Sequence, residues 1–375
     1  MEEKLRIIIS GGGTGGHIFP AVSIANAIKE QHPDAEILFV GAEGRMEMQR
    51  VPAAGYKIEG LPVSGFDRKN MLKNFAVLYK LAKSQLKAYS IIKKFKPHAA
   101  VGVGGYASGP TLKMAGLMGV PTLIQEQNSY AGVTNKLLAK KAKRICVAYD
   151  GMERFFEKEK IILTGNPVRQ GLVNNKITRE EGIDSFHLDS SKKTILVIGG
   201  SLGARTINQC IMANLKRIKE NNIQFIWQTG KIYFEQAQQE VKKYGDLPLY
   251  VTDFISSMEH AYAAADLVIS RAGAGSISEF CLLGKPVILV PSPNVAEDHQ
   301  TKNALALVDK SAALYIKDSE AIDKLVDAAM DAIGNEQLLK ELSENIKKLA
   351  FPNSASIIAE EVYKLANEYR KKNGN

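Results

Sequence analysis

The strongest constraint in this sequence is a rhythm. Short, β-branched and nearly continuous apolar runs at residues 5–10, 36–40, 99–103, 122–125 and 144–148 alternate with stretches of helical spacing. A strand that is apolar on every residue is covered on both faces, as in a parallel sheet with helices packed above and below it. Strand–helix–strand units joined in this way wind into a doubly wound α/β domain. The rhythm restarts with runs at 193–198, 224–228, 247–251, 267–270 and 287–290. The join between the two series is polar and turn-rich, carrying Asn174-Asn175, Asp189 and Ser190-Ser191.

The two halves open alike, on Ile7-Ile8-Ile9-Ser10-Gly11-Gly12-Gly13 and on Ile195-Leu196-Val197-Ile198-Gly199-Gly200-Ser201. At roughly one domain per 150 residues, the 375 residues accommodate two such units. The expected fold class is α/β, with two Rossmann-like doubly wound domains facing each other across a cleft. The expected boundaries are 1–166 and 167–352, and a last helix at about 353–371 is expected to pack back on the first domain.

An apolar fraction of 45% with 24% charged residues fills two cores and leaves disorder only for the tail 371–375. The three cysteines, Cys146, Cys210 and Cys281, are scattered without a C-x-x-C spacing. That argues against a disulfide framework and against a zinc site, and for a reducing compartment. The opening Met1-Glu2-Glu3-Lys4 has neither the basic start nor the long apolar core of a signal peptide. No apolar run approaches the roughly 20 residues of a membrane-spanning helix. The expectation is a cytoplasmic protein that does not cross a bilayer.

The formal net charge is +9, and residues 68–96 hold nine basic residues with no Asp or Glu. That stretch alone matches the whole net charge. At about 100° per residue, Lys73, Lys80, Lys83, Lys87 and Lys94 form one stripe, with Met71, Phe75, Leu78 and Leu86 on the opposite side. The segment reads as a basic amphipathic helix. A solvated outer face is the plain alternative; an anionic membrane surface or an acidic substrate would also use it. Nucleic acid is not expected, because no aromatic platform or nucleic-acid-binding motif accompanies the charge. This holds although Lys136, Lys140, Lys141, Lys143 and Arg144 form a second basic cluster.

Three glycine loops follow predicted strands. Gly11, Gly13 and Gly16 satisfy G-x-G-x-x-G between a strand and a helix, where backbone N–H groups and the helix dipole receive an anion. A dinucleotide site also needs an acid at the end of the second strand; here Val40 is followed by Gly41 and Ala42, which argues against hydride chemistry. The other loops are Gly199 to Arg205 and Arg271 to Ser276, the latter preceding Glu279. Loops at the carboxyl ends of strands are where open α/β sheets bind ligands, and a diphosphate carrying sugar hydroxyls would occupy several of them.

These motifs resemble those of the MurG family of cell-wall N-acetylglucosaminyltransferases over nearly the whole chain. The resemblance rests on Gly11 to Ala21, Gly104-Gly105-Tyr106, Gln125-Glu126-Gln127-Asn128, Gly165-Asn166-Pro167-Val168-Arg169, Gly199 to Arg205, and Arg271 to Glu279 with Gln300 beyond it. It implies a GT-B fold and inverting transfer from UDP-GlcNAc to the 4-hydroxyl of the muramyl sugar of undecaprenyl-diphospho-muramoyl-pentapeptide. Such work would be done peripherally, at the cytoplasmic face of the membrane. It further implies that the Ser201 loop meets the donor diphosphate and that main chain near Ile255 reads the uracil. Glu279 would hold ribose hydroxyls beside Ala274, Gly275, Ser276, Ile277 and Ser278. Asn128 and Gln300 would hold the GlcNAc, with Arg169 by the donor; Thr14, Gly15, Gly16, His17 and Tyr106 would face the acceptor. The stretch Ser292 to His299 differs from the family pattern and is slightly longer.

Without the resemblance, Glu279 is also readable as a local pairing residue, Asn128 as a turn former and His17 as a helix cap. An inverting transfer needs a base, and an imidazole with an unperturbed pKa of about 6.5 suits that task. His17 is the first candidate and Glu126 the second. No D-x-D motif is present, and no metal or other cofactor is expected. Another UDP-sugar GT-B enzyme, a UDP-GlcNAc epimerase and a non-catalytic nucleotide-sugar-binding module are the rival readings.

Overall fold

The structure is a computed structural model that describes residues 4–63, 73–173, 176–200 and 202–374. It divides into two compact units, Met1–Arg169 with Phe351–Asn375, and Gln170–Ala350.

Among the described residues of the first unit, seven strands form one sheet: β1 (Arg6–Ser10), β2 (Glu36–Ala42), β3 (Lys57–Leu61), β4 (Ala99–Gly102), β5 (Thr122–Glu126), β6 (Arg144–Val147) and β7 (Ile161–Leu163). The order is β3-β2-β1-β4-β5-β6-β7, and every pairing is parallel. Ser10 lies opposite both Val40 and Gly102, so the carboxyl ends of the central strands are level. The helices that matter for the site are α1 (Gly15–Gln31), α2 (Glu47–Ala53), α3 (Lys73–Phe95), α4 (Ser108–Leu117) and α5 (Val133–Ala139).

The near-continuous hydrophobicity of β1 has its explanation in the packing. Ile7 and Ile9 join Ile24 and Ile28 of α1 and Ile358 and Val362 of the C-terminal helix Ser354–Lys372 in one core. Ile8, between them in sequence, points to the other face and meets Ala88 and Ile92 of α3 and Ala115 of α4. All three isoleucines are fully buried, each contributing about 1.5–3 kcal/mol of transfer free energy.

The second unit repeats the plan with β8 (Lys193–Ile198), β9 (Ile223–Gln228), β10 (Leu249–Thr252), β11 (Leu267–Ser270), β12 (Val287–Leu289) and β13 (Leu314–Tyr315). Its parallel order is β10-β9-β8-β11-β12-β13. Trp227 is fully buried, and its indole N–H donates to Asn208 Oδ1 at 2.9 Å, so the core accepts the ring without an orphaned donor.

The expected doubly wound α/β class is the observed one. Three strands escape the sequence reading: β3, β7 and β13, each at the edge of its sheet. In β3 the run Lys57-Ile58-Glu59-Gly60-Leu61 is broken by charge, as an edge tolerates, while β7 and β13 are apolar but only three and two residues long.

Helix α3 requires a correction. Met71 and the side chains of Phe75 and Leu78 lie outside the described residues, but Leu86 is 72% exposed, as is Tyr79 at 70%. The core is met instead by Val77, Ser84, Ala88 and Ile92. Lys80, Lys83, Lys93 and Lys94 are exposed on the same helix, while Lys87 is half-buried and pairs with Glu43 at 2.8 Å. The outward side of α3 is therefore apolar and basic together. Among the described residues, no helix is long and apolar enough to cross a membrane.

Candidate active site

Strand order reverses between β1 and β4 in the first sheet and between β8 and β11 in the second. These are the points where an open α/β sheet leaves a crevice beyond its carboxyl ends. The loops that follow those four strands carry the glycine motifs.

In the first unit, the loop after β1 and the loop after β4 touch through their backbones. A Cβ on Gly105 would stand 2.4 Å from the Gly12 carbonyl oxygen, and one on Gly104 would stand 2.8 Å from His17 Nε2. Both positions have φ near +90°, which glycine alone adopts without strain. Ser108 Oγ bridges the two loops by donating to Ser10 O at 2.7 Å and Gly104 O at 2.9 Å. His17, on the first turn of α1, places Nδ1 3.0 Å from the Gly12 carbonyl oxygen and 3.4 Å from Thr14 Oγ1. A carbonyl only accepts, so Nδ1 carries the hydrogen in this bond and the neutral ring has its acceptor lone pair on Nε2. Tyr106 is 53% exposed beside this pair of loops, and the Arg169 guanidinium lies 5.6 Å from the centre of the Phe19 ring.

The loop after β5 is built around Glu126, which is 1% exposed. Its Oε1 accepts from the backbone N–H of Asn128 at 3.1 Å and from Asn128 Nδ2 at 3.3 Å. Its Oε2 accepts from Gly132 N at 3.0 Å and Asn135 Nδ2 at 2.8 Å. Four donors on one carboxylate fold the loop and orient Asn128. Beneath it, Gln125 Nε2 donates to Asn166 Oδ1 at 2.9 Å, and Asn166 Nδ2 donates to the Gln127 carbonyl at 3.0 Å. This buried amide network fixes the motif residues Gln125, Gln127 and Asn166 to each other.

In the second unit, Ser201 lies outside the described residues, but its loop is anchored on either side. A Cβ on Gly203 would stand 2.0 Å from the Thr229 carbonyl oxygen. Gln228, at the end of β9, donates to Gly200 O at 3.2 Å and accepts the Ile255 N–H at 2.9 Å. One side chain thus ties the Gly199–Arg205 loop to the main chain at Ile255.

After β11, Arg271 donates to the carbonyls of Val290 at 3.0 Å and Pro291 at 3.1 Å and pairs with Asp318. Gly273 then opens the helix Ala274–Leu283, on which Ala274, Gly275, Ser276 and Ser278 are partly exposed and Ile277 is buried. Glu279 is 7% exposed and accepts from the Tyr262 hydroxyl at 2.7 Å. Gln300 sits on the first turn of the helix His299–Val308 and accepts the Ser292 N–H at 2.9 Å. The departing stretch before it reaches this turn through two successive left-handed residues, Glu297 and Asp298.

The helix starts at these loops share an electrostatic character. Among the described residues, Thr14, Ala204 and Gly273 provide no side-chain cap for the helices they precede, and none of the three has an acid in its first turn. Helix starts such as Ala107 and Tyr233 also lack a side-chain cap, so it is their place after the carboxyl ends of β1, β8 and β11 that sets these three apart. N–H groups left without a side-chain partner at a helix start attract anions. All three cysteines are buried, and that burial pushes the Cys146 and Cys281 thiols up to about 12 and that of Cys210 to about 11. Sequence reading misses Glu47, Gln228, Tyr262 and Asp318, because each acts through a tertiary contact that no local motif announces.

Two Rossmann-like units with these loops at their carboxyl edges define a GT-B type protein, the architecture of nucleotide-sugar transferases. The chain belongs to glycosyltransferase family 28, whose N-terminal domain matches residues 7–147 and whose C-terminal domain matches residues 194–358. It is 77% identical to the UDP-N-acetylglucosamine–N-acetylmuramyl-(pentapeptide) pyrophosphoryl-undecaprenol N-acetylglucosamine transferase of Phocaeicola vulgatus, with all of both chains covered. The crystal structure of Acinetobacter baumannii MurG is similar at a TM-score of 0.78 and 29% identity, covering 96% of this chain and 99% of that one. A Neisseria meningitidis UDP-GlcNAc 2-epimerase has a TM-score of 0.68 at 13% identity, covering 96% of this chain and 100% of that one, a likeness of fold alone.

Proposed function

We propose that this glycosyltransferase moves N-acetylglucosamine from UDP-GlcNAc to the 4-hydroxyl of an undecaprenyl-diphospho-muramoyl-pentapeptide, with inversion. The observation that carries this reading is the full-length, 77% identical relative named for that transfer. In this reading the roles divide between the two units. In the second unit, Glu279 receives the ribose hydroxyls, Ala274 to Ser278 line the same turn, and Gln300 holds the sugar. In the first unit, His17 takes the acceptor proton, Tyr106 and Thr14 to Gly16 border the acceptor, and Arg169 and Asn128 serve the donor.

The step balances simply. The acceptor oxygen forms a bond to the anomeric carbon as the bond from that carbon to the diphosphate breaks, and the acceptor proton passes to His17 Nε2. UDP departs with an additional negative charge, which backbone N–H groups stabilise; one well-placed donor contributes roughly 3 kcal/mol. The tautomer set by the Gly12 carbonyl is the one this role requires. With four donors on its carboxylate, Glu126 serves in this reading to hold Asn128 rather than to take the proton.

The lipid-linked acceptor brings the first unit to an anionic membrane surface, at the cytoplasmic face. Exposed Tyr79 and Leu86 of α3 beside Lys80 and Lys83 support this, as do exposed Val133 and Leu137 of α5 beside Lys140 and Lys141. Apolar side chains flanked by lysines suit shallow insertion with electrostatic attraction. The deciding experiment is turnover of UDP-GlcNAc with a lipid-diphosphate-muramyl acceptor, following UDP release and the configuration of the new bond. A β-linked disaccharide is expected. Epimerisation of UDP-GlcNAc without transfer would overturn the reading.

A further inference from the structure

A carboxylate that belongs to none of the sequence motifs holds the first glycine loop from behind. Glu47, the first residue of α2, is 1% exposed. Its Oε2 accepts the Gly13 N–H at 2.8 Å, and its Oε1 accepts the Ala42 N–H at 3.0 Å. A Cβ on Gly12 would stand 2.2 Å from Glu47 Oε1, and one on Gly41 would stand 2.6 Å from Glu47 Cγ. Two glycines from neighbouring strand ends therefore make the space that the carboxylate fills.

The Gly13 N–H and the Gly12 carbonyl belong to one planar peptide group. Glu47 grips its nitrogen side, and His17 Nδ1 is bound by its oxygen side at 3.0 Å. The two side chains thus meet on opposite edges of a single rigid plate. We propose that Glu47 is a positioning residue for transfer, which acts through the Gly12–Gly13 peptide group to fix the ring orientation and tautomer of His17. This rests on His17 being the group that takes the acceptor proton.

The physical need for a carboxylate is specific. A peptide between two glycines turns over readily, because neither residue has a Cβ to resist it. Turned over, it would aim its carbonyl at the buried carboxylate and its N–H at His17 Nδ1, removing the acceptor that holds the hydrogen there. Both partners of Glu47 are N–H donors, so only a group that accepts through two oxygens satisfies both. A carboxylate on the N–H also polarises the amide and strengthens its carbonyl as an acceptor. The result resembles a carboxylate–histidine pair with a peptide inserted between its members.

The test is a double-mutant cycle of Glu47→Gln and His17→Ala in the full chain, reading kcat, the UDP-GlcNAc dissociation constant and the melting temperature. Glutamine keeps the shape but must turn its own N–H toward one of the two backbone donors. Glu47→Gln is expected to lower kcat on the order of ten- to a hundredfold, as loss of alignment does. Donor binding should stay within about twofold, and in the His17→Ala background the same change should cost no more than about twofold further. Selective 15N-histidine labelling should show His17 losing its single Nδ1-protonated form in the variant. An unchanged kcat in folded Glu47→Gln overturns the proposal, as does an equal loss on both backgrounds, which marks a merely structural role. If His17→Ala itself retains kcat within a few fold, the base assignment fails, and with it the route by which Glu47 acts. Should Glu47→Gln not fold, Glu47→Asp keeps two acceptor oxygens on a shorter arm and is read in the same way.

Discussion

The Tyr262 hydroxyl donates to Glu279 Oε2 at 2.7 Å, joining a helix that precedes β11 to the helix that follows it. Both residues are buried, Tyr262 at 1% exposure and Glu279 at 7%. The Tyr262 ring also packs edge-on against Phe280 at 5.9 Å, so the phenol cannot drift from the carboxylate. Glu279 is thus held in place by a neighbouring side chain.

Glu279→Ala is accordingly expected to raise the UDP-GlcNAc KM, by roughly ten- to a hundredfold for the loss of charge-assisted hydrogen bonds of about 1.5–3 kcal/mol. Tyr262→Phe, which keeps the ring and loses only the aiming bond, should raise it by about fivefold, equivalent to about 1 kcal/mol. Donor titrations at saturating acceptor check both. An unchanged KM in a folded Glu279→Ala protein would remove this residue from the ribose site.

His17→Ala should depress kcat by about 10²- to 10⁴-fold, the usual worth of a general base, while the donor dissociation constant holds. Steady-state kinetics alongside calorimetric donor binding separate the two quantities. Turnover within a few fold of wild type would pass the proton to another group.

Replacing Lys80, Lys83, Lys93 and Lys94 by Gln should weaken sedimentation with anionic vesicles, since each lysine near such a leaflet contributes about 1 kcal/mol. Lys87 is left in place because Glu43 already neutralises it. Transfer to a short soluble acceptor should stay near wild type. Raising salt to 1 M, where the Debye length is about 3 Å, should weaken the unaltered protein in the same direction. Equal vesicle binding by variant and wild type would move the contact to Lys136, Lys140 and Lys141.

Burial pushes the Lys285 ammonium down to about 8, with Asp266 opposing the shift and Arg179 adding to it. The side chain donates to the Ala265 carbonyl at 2.8 Å. An unfolded lysine titrates near 10.4, so between about pH 8 and 10 the unfolded chain binds more protons at this site than the folded one. The Lys285 contribution to stability therefore rises with pH across that window and is lost as pH falls through about 8. Urea unfolding of wild type and Lys285→Met should show the gap between them shifting in favour of wild type from pH 7.5 to 9.5. A gap independent of pH would mean that Lys285 titrates normally.

Much of this protein is written locally. The strands β1, β8 and β11 are readable because covering both faces of a parallel strand leaves an unbroken apolar run. The glycine loops are readable because a tight turn before a helix admits few other residues, and they mark His17 and Glu279 by adjacency. Lys80 and Lys83 are legible as a basic face for the same reason of spacing. The edge strands β3, β7 and β13 are not, since a sheet edge tolerates charge and brevity and so imposes no pattern.

What tertiary structure alone decides is which groups share a hydrogen bond. The separation of 34 residues between Gly13 and Glu47, or of 27 between Gln228 and Ile255, carries no periodic signal. Those pairs exist because parallel winding brings the carboxyl ends of successive strands to one edge, where backbone N–H groups must find acceptors once water is excluded. Leu86 makes the same point in reverse: its sequence position suggests a core residue, yet it is 72% exposed while Ser84 and Ala88 of the same helix are buried. Sequence periodicity sets the elements and their covered faces, whereas the partners of each buried polar group follow from the distances that packing imposes.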